Sequence, residues 1–572
     1  MKRLLAVLMM LMLIACAASA EQVTFTPGTY TVDTLGHNGA MTVEVTFDEH
    51  SITDIKVPVH AETRRIGDIS MNTVIDEILE RQSLDVDTVA GATVSGAVVR
   101  AAVRKAVEQA GADPAKLMIS KAKDETVYQD ETTQVVIVGS GVAGLVTAVE
   151  AQAQGLDIIL VEQLGFLGGS SIRAAYMVGG GSSVQKAQGI DYGVENWQAF
   201  QVKPRTSTAA ELYQEASAIK LSAEAGNNIS WLADLGVPFG DVNLYFQHYG
   251  PNGECIGSYV VETLQGVLEE KGVDFRLNTR ATSLLTEDGR VCGVTVVSPN
   301  GQEYKIKAED VVLCTGGFFA NQAMVDEYDP AHAMFKTDVS IGADGSGMKM
   351  AEAVGAQLGW MDQGNYHGLA TFWNGASRGL TLPAGNGCVA VNKEGKRYAN
   401  EAGNYELLAA GTIAQGGTVY TIMDQKLMDL DVIRQDHGLS AVPDIWVKAD
   451  TLEELADKLG IDKEGFLKTM ADYATYVANG EDPEFGKTEA YLRSDFTTGP
   501  FYGCESHVEN HTNHGGIVVD IDNHALTAEG KIIPGLFAVG ECAATHIQGI
   551  YTYSAAVGNG RFTAQLIASE LK

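Results

Sequence analysis

The sequence predicts an α/β protein built in more than one part, and three observations carry that reading. An apolar strand pattern runs into Gly139-x-Gly141-x-x-Gly144 and then into a helix pattern. Two later strand patterns, Glu309 to Asn321 and Lys531 to Cys542, each lead into glycine turns. Ahead of these, residues 21–118 alternate strand and amphipathic-helix patterns of their own, a small α+β unit. At 572 residues the chain has room for about two to four domains. A hydrophobic content of 45% and a charged content of 20% suit globular parts.

The chain opens with Lys2-Arg3, an apolar run from Leu4 to Ala15 and then small residues. Residues 1–20 therefore read as a signal peptide, too short for a permanent membrane span. Two routes stay open. Ala18 to Ala20 before Glu21 suits ordinary cleavage, whereas Leu13 to Cys16 resembles a lipobox in which Cys16 would be acylated. Either route predicts an exported protein, periplasmic or at the cell surface, lipid-anchored in the second case. The formal charge of −33 argues against nucleic acid as a partner and suits a soluble exported protein. Beyond Cys16 six cysteines are scattered with no CxxC or CxxCH, so zinc, thioredoxin-type and c-haem readings have no support and no metal is expected. The six suit buried small apolar positions, with pairing as the alternative.

Within residues 21–118, Met41 to Glu49 and Ile52 to Val59 read as strands, and Met71 to Gln82 and Ser95 to Gly111 as helices. A polar linker over 119–133 follows. Gln134 to Gln163 then gives strand, glycine fingerprint, helix and second strand, closing on Glu162, 23 residues after Gly139. That spacing marks a dinucleotide site. The glycines let the backbone approach a pyrophosphate at a helix N-terminus, and Glu162 accepts ribose hydroxyls. The fingerprint, the Thr315-Gly316-Gly317 strand end and the Gly540-Glu541 strand end together form the pattern of FAD proteins of the two-dinucleotide-binding type. The predicted layout is a Rossmann-like FAD-binding domain in two parts, 134–364 and 501–572. An α+β cap over 365–500 interrupts it.

The chain from about 133 to 572 resembles the soluble fumarate reductases and urocanate reductases, with the flavin-linked ketosteroid dehydrogenases as relatives. The marks are Gly168-Gly169-Ser170-Ser171, Thr315 to Phe318, Asp344 to Ala356, Val391 to Glu401, His511 to Gly516 and Gly535 to Glu541. The resemblance implies non-covalent FAD held by Gly139, Gly141, Ala143, Gly144, Glu162, Gly168, Gly169, Ser170, Ser171, Thr315, Gly316, Gly317, Gly540 and Glu541. The first unit resembles the FMN-binding domain of such reductases through Asp87, Thr88, Val89, Ala90, Gly91, Ala92 and Thr93, with Ala90 departing from the usual hydroxyl residue. In that family a flavin transferase esterifies FMN onto the final threonine, here Thr93. A competing reading makes Ser95 a helix N-cap and Thr93 a plain turn residue.

The resemblance further implies hydride transfer to an activated C=C bond and protonation of the neighbouring carbon. Fumarate reductases use an arginine donor, a glutamate–arginine relay, two histidines and a clamping arginine. Here His367 and His511 match the histidines, with His514 as an alternative to the second. The other positions depart. Thr381 and Ala384 stand at the relay, Tyr405 at the donor, and Tyr551, Thr552 and Tyr553 near the clamp. A dicarboxylate needs fixed cations, so fumarate itself is disfavoured. Tyr405 becomes the candidate proton donor, with Tyr551 or Tyr553 assisting, as in the ketosteroid and enone branch. Packing is the competing role for these tyrosines. Arg378 and Arg173 remain as cations for a monocarboxylate, and Arg397 matches a framework arginine. The expected protein is a reductase of an enoate or enone, fed through covalent FMN by a membrane quinol or redox protein. A ketosteroid-type dehydrogenase and an electron-transfer flavoprotein without substrate turnover stay as alternatives.

Overall fold

The computed structural model describes residues 23–201, 215–373, 376–430, 433, 445–544 and 552–571. The chain divides between Lys123 and Asp124 into two units. In the first, β1 (Gly28–Leu35), β2 (Ala40–Phe47) and β3 (Ile52–Val59) form an antiparallel sheet in the order β1-β2-β3. Along β2, Met41, Val43, Val45 and Phe47 are buried at every second position, which is the two-residue period of a half-buried strand. Helices α1 (Gly67–Arg81) and α2 (Thr93–Gln109) complete the core. Val99, Ala102, Val103, Ala106 and Val107 line the buried stripe of α2 at helical spacing.

Helix α2 starts two residues before the sequence-predicted start. Ala92 is its N-cap residue, so Ser95 is not. The reason is local: Ser95 Oγ donates to the buried Glu62 carboxyl, and Ala92 O accepts from Ser70 Oγ at 2.6 Å. The segment read as a linker is also partly ordered on the second unit. Tyr128 exchanges two hydrogen bonds with the Gln302 amide (2.9 and 2.6 Å), and Glu131–Thr132 adds a parallel strand beside Ile306–Lys307.

The second unit is built on a six-stranded sheet. Its strands are β4 (Val135–Val138), β5 (Ile158–Val161), β6 (Asp274–Arg276) and β7 (Asp310–Leu313), with two more from the C-terminal part, His524–Leu526 and Ile532–Ala538. In spatial order they run β6-β5-β4-β7, then Ile532–Ala538, then His524–Leu526, and the last is antiparallel. All four residues of β4 and of β5 are buried, as in parallel strands covered on both faces. Helix α3 (Val142–Ala153) leaves β4 through the fingerprint and is buried along ten residues, with the C-terminal helix Thr552–Glu570 packed against it.

The cap is a second sheet. Strands β8 (Gly364–Trp373), β9 (Ala376–Gly379), β10 (Val389–Val391), β11 (Thr418–Asp424) and β12 (Phe501–Asn513) take the order β9-β8-β12-β11-β10. The long strand β12 also pairs with Lys336–Thr337 and Val447–Ala449. Residues 501–513 therefore belong to the cap sheet, and not to the second half of the FAD-binding part as the 365–500 boundary has it. The strand's far end, Asn513, bonds to Phe318 and Glu541 at the glycine turns of the flavin-side sheet.

A buried ionic cluster fixes the cap core. Arg397 donates to both Glu401 oxygens and to Asp482, each at 2.9 Å, and Lys487 lies 2.9 Å from Glu401. Burial alone would raise the Glu401 carboxyl, but Lys487 and Arg397 outweigh it and hold it at about 2. Glu401→Gln is expected to cost about 3–5 kcal/mol, because two cations then lose their buried anion. Urea unfolding at neutral pH measures it. The folded pKa lies below the ordinary carboxyl value, so this contribution is complete above about pH 5 and is lost as pH falls toward 2.

Candidate active site

The fingerprint turn is shaped for a backbone-bound ligand. Gly139 has φ +97°, and a Cβ at Gly144 would collide with the Gly139 carbonyl. Gly141 is the N-cap residue of α3 and gives no side-chain bond to its first N–H groups. Ser171 Oγ accepts from Val142 N at 2.9 Å, and Ser170 Oγ accepts from Ser340 N at 2.8 Å. Glu162 is buried; Oε2 accepts from Ser140 N and Oγ (3.0 and 2.6 Å), and Oε1 accepts from Leu164 N (2.8 Å). Burial raises its carboxyl despite these donors. The Gln163 N–H adds a fourth donor, so a ribose hydroxyl would share a carboxylate oxygen that the backbone already engages. Gly168, Gly169 and Gly316 have positive φ, and Gly317 packs so closely on Asn513 and Glu541 that a Cβ would not fit. Gly540 (φ +80°) lies against Ala143, which brings the last strand end onto the fingerprint helix. Asn513 is fully buried and its Nδ2 has no partner among the described residues, although Oδ1 accepts from Phe318 N at 2.7 Å. An orphaned amide donor beside a glycine cradle fits a bound FAD.

Strands β8 and β12 deliver the histidines. His367 and His511 stack with ring centroids 3.9 Å apart, and the Tyr405 ring lies 5.4 Å from His367. Each histidine has its own carboxyl group. His367 Nδ1 lies 2.8 Å from Glu509, and His511 Nδ1 lies 3.0 Å from both Asp338 oxygens. Burial would lower His511, but Asp338 outweighs it and the imidazole is raised. Burial lowers His367 well below its usual range, and the neighbouring His511 adds to that. Asp338 is held low by His511, with Arg173 assisting, against the opposing effect of burial. The two imidazoles are thus driven apart, His511 favouring the charged form and His367 the neutral one. Arg173 Nη1 donates to Asp338 O at 2.8 Å. Asp338, His367 and His511 bring one ligand atom each within 4.8 Å, a closeness the Asp338–His511 ion pair itself produces in part.

Tyr405 opens the helix Tyr405–Ala414. Asn404 caps it by accepting from Glu406 N and Leu407 N, which sets Tyr405 at the first helical position, facing His367. It keeps 37% of its surface exposed, and burial of the phenol raises its pKa, partly offset by a hydrogen bond with Tyr176. Tyr249 stacks obliquely on Tyr176 at 5.2 Å, so a tyrosine wall adjoins the histidine pair.

The structure thus unites His367, His511, Tyr405 and Arg173. It leaves Tyr553 apart, buried on the C-terminal helix with a hydroxyl that has no partner among the described residues. Tyr551 and the side chains of Arg378, Thr381 and Thr552 lie outside the described residues. His514 is half-buried and lowered to about 4 by burial and then by His511; it takes no part in the stack. Sequence reasoning missed Glu509, Asp338, Ser377, Tyr176 and Tyr249. Glu509 carried a signal, since a residue two before His511 on one strand shares its face. Glu541 accepts from Asn513 N at 2.8 Å, and burial lifts it to about 7.

In the first unit Thr93 is exposed at the first position of α2, after Gly91 at φ +89°. Ala92 offers the first-turn N–H groups no side-chain cap, and Ser95 is committed to Glu62. An exposed hydroxyl over uncapped N–H groups fits a phosphate ester of FMN.

Residues 134–556 match the model of the FAD binding domain, and residues 36–108 match the model of the FMN-binding domain. The chain is 28% identical over 588 residues to an NADH:acrylate oxidoreductase of Vibrio harveyi, covering 90% of this chain and 58% of that protein. It is 28% identical to a urocanate reductase of Eggerthella lenta, covering 89% of this chain and 86% of that one. Among solved structures, the open conformation of a flavocytochrome c3 fumarate reductase matches with a TM-score of 0.64 and 27% identity, over 79% of this chain and 83% of that one.

Proposed function

The chain belongs to the FAD binding domain family, with an FMN-binding domain ahead of it, and from that premise we propose that it reduces an activated C=C bond. Bound FAD supplies the hydride, and FMN the inlet for electrons. The observation that carries the reading is the stacked His367–His511 pair with Tyr405 beside it, reached from the Asn513–Glu541 end of the cofactor cradle. Tyr405 keeps its proton at neutral pH, because burial raises the phenol, and so acts as the acid that protonates the carbon next to the reduced one. His511, cationic beside Asp338, and Arg173 face the electron-withdrawing substituent, where charge develops as the bond is reduced.

The substrate is an enoate or enone of the acrylate and urocanate kind. Fumarate is disfavoured. Asp338, Glu509 and Glu541 already crowd the site with carboxyl groups, Ala384 and Tyr405 stand where the family's relay and donor arginines fall, and a second substrate carboxylate finds no further cation among the described side chains. Acrylate and urocanate, the substrates after which two of the relatives are named, each present one carboxylate to anchor. Electrons reach FMN, esterified on Thr93 by a flavin transferase, from a membrane quinol or redox protein, and the protein works outside the cytoplasm, lipid-anchored if Cys16 is acylated.

Anaerobic reoxidation of the reduced protein by acrylates, enones and fumarate tests the reading. An enoate or enone is expected to reoxidise it fastest. Fumarate outpacing both would overturn the substrate assignment.

A further inference from the structure

One buried carboxyl of the site takes no part in the steps assigned to Tyr405, His511 and Arg173. Glu509 is fully buried at the middle of the cap sheet and does not pair with a lysine or arginine side chain among the described residues. Its Oε1 meets His367 Nδ1 at 2.8 Å, and its Oε2 accepts from the Ser377 hydroxyl on β9. Several of the elements around it contribute a titratable or charged neighbour. These are His367 from β8, His511 from its own strand, Asp338 from the segment after Lys336–Thr337, and Arg173 from the turn after Ser170-Ser171. Lys336 stands opposite Glu509 in backbone register, but its ammonium sits 4.6 Å over the Phe372 ring. A carboxyl bonded on one oxygen to a hydroxyl and on the other to an imidazole nitrogen is arranged to exchange a proton with that imidazole.

We propose that Glu509 is the proton reservoir of the site, passing its proton to His367 Nδ1 as His367 releases its Nε2 proton toward Tyr405 and the substrate. The proposal rests on the C=C reduction reading. At rest the Glu509 hydroxyl donates to Nδ1 and His367 carries its hydrogen on Nε2. When Tyr405 gives its proton to the substrate carbon, the His367 Nε2–H bond breaks and the Tyr405 O–H bond re-forms. The Glu509 O–H bond breaks and the Nδ1–H bond forms. No electrons move in these transfers, the imidazole changes only its tautomer, and Glu509 ends as a carboxylate that the Ser377 hydroxyl stabilises. A proton taken up from solvent on the half-exposed Tyr405 side re-forms the His367 Nε2–H bond, and the Nδ1 proton returns to Glu509, which restores the resting state. Glu509 therefore acts through His367 as a positioning and supply residue.

The supporting electrostatics agree in direction. Burial holds the Glu509 carboxyl well above its ordinary range, the Asp338 charge adds to this, and Arg173 opposes it. The asymmetry between Glu509 and Asp338 has a plain cause: Asp338 faces a cationic imidazole and Arg173, and Glu509 faces a neutral imidazole.

Wild-type kcat is expected to hold while Glu509 keeps its proton and to fall as pH rises through its titration. Glu509→Gln should lower kcat about 10²-fold, leave KM within about threefold and abolish that alkaline limb. Ser377→Ala, the milder variant, should move the limb to higher pH, because the carboxylate loses a donor. Without any substrate, the infrared spectrum of the wild type minus E509Q should show the C=O stretch of a protonated carboxyl at neutral pH. Unchanged kcat in E509Q, a fall in kcat that keeps the wild-type limb, an unmoved limb in S377A, or no carboxyl band would each overturn the relay. A wild type that no enoate or enone reoxidises would instead remove the reduction reading, and the relay with it.

Discussion

Replacing Tyr405 with phenylalanine is expected to lower kcat by about 10²- to 10⁴-fold, the contribution of a positioned general acid. In barrier terms that is about 3–5 kcal/mol. The variant keeps the ring that sits 5.4 Å from His367 and the Asn404 cap that sets the helix start, so packing and fold are preserved. Only the proton is removed. Stopped-flow reoxidation of the reduced variant by an enoate reads the chemical step directly, and the flavin spectrum of the resting protein checks that FAD binding is intact. A solvent isotope effect should persist or grow, since a slower route through water then carries the proton and limits the step. Unchanged turnover would return Tyr405 to a packing role in the wall formed with Tyr176 and Tyr249. The contrast with Glu509 is diagnostic: loss of the acid removes protonation itself, whereas loss of the reservoir removes its pH-dependent supply.

Much of this architecture is legible in the sequence because it is local. The fingerprint from Gly139 to Gly144 sits between a continuous apolar strand and a helix, and Glu162 closes the second strand; strand, turn and helix signals all lie within 30 residues. Histidines and tyrosines at matched positions likewise follow from short motifs. The misses are of another kind. Glu509 and Asp338 become site residues only because β12 pairs with β8 on one side and Lys336–Thr337 on the other, joining segments about 140 to 170 positions apart in sequence. The same strand explains the misplaced cap boundary, for a 13-residue strand that starts in the cap and ends at Asn513 serves both the cap sheet and the cofactor cradle. The α2 start was missed for a smaller reason. Ser95 looks like an N-cap in sequence, but a buried Glu62 from another segment claims its hydroxyl.

The second large effect concerns Thr93. Thr93→Ala is expected to yield protein from which all FMN separates on denaturation, where the wild type retains one flavin that fluoresces in a denaturing gel. The substitution removes a single exposed hydroxyl at the first position of α2. Alanine is a strong helix former and Thr93 makes no capping bond, so the helix should remain intact. The consequence for turnover separates two steps. Turnover driven by the physiological donor should fall to background, since electrons enter through the missing flavin, but reoxidation of chemically reduced FAD by an enoate should stay at the wild-type rate. An equal loss in both assays would mean that the first unit is needed for folding and not for electron supply. Retention of the flavin on denatured T93A would place the attachment elsewhere. The tether also bears on direction. If Thr93 carries an inlet flavin that receives electrons from a donor, the reverse, dehydrogenating assay with a saturated substrate should run independently of Thr93. If it proves the faster of the two in the wild type and is lost in T93A, electrons leave through FMN and the assignment of direction is reversed.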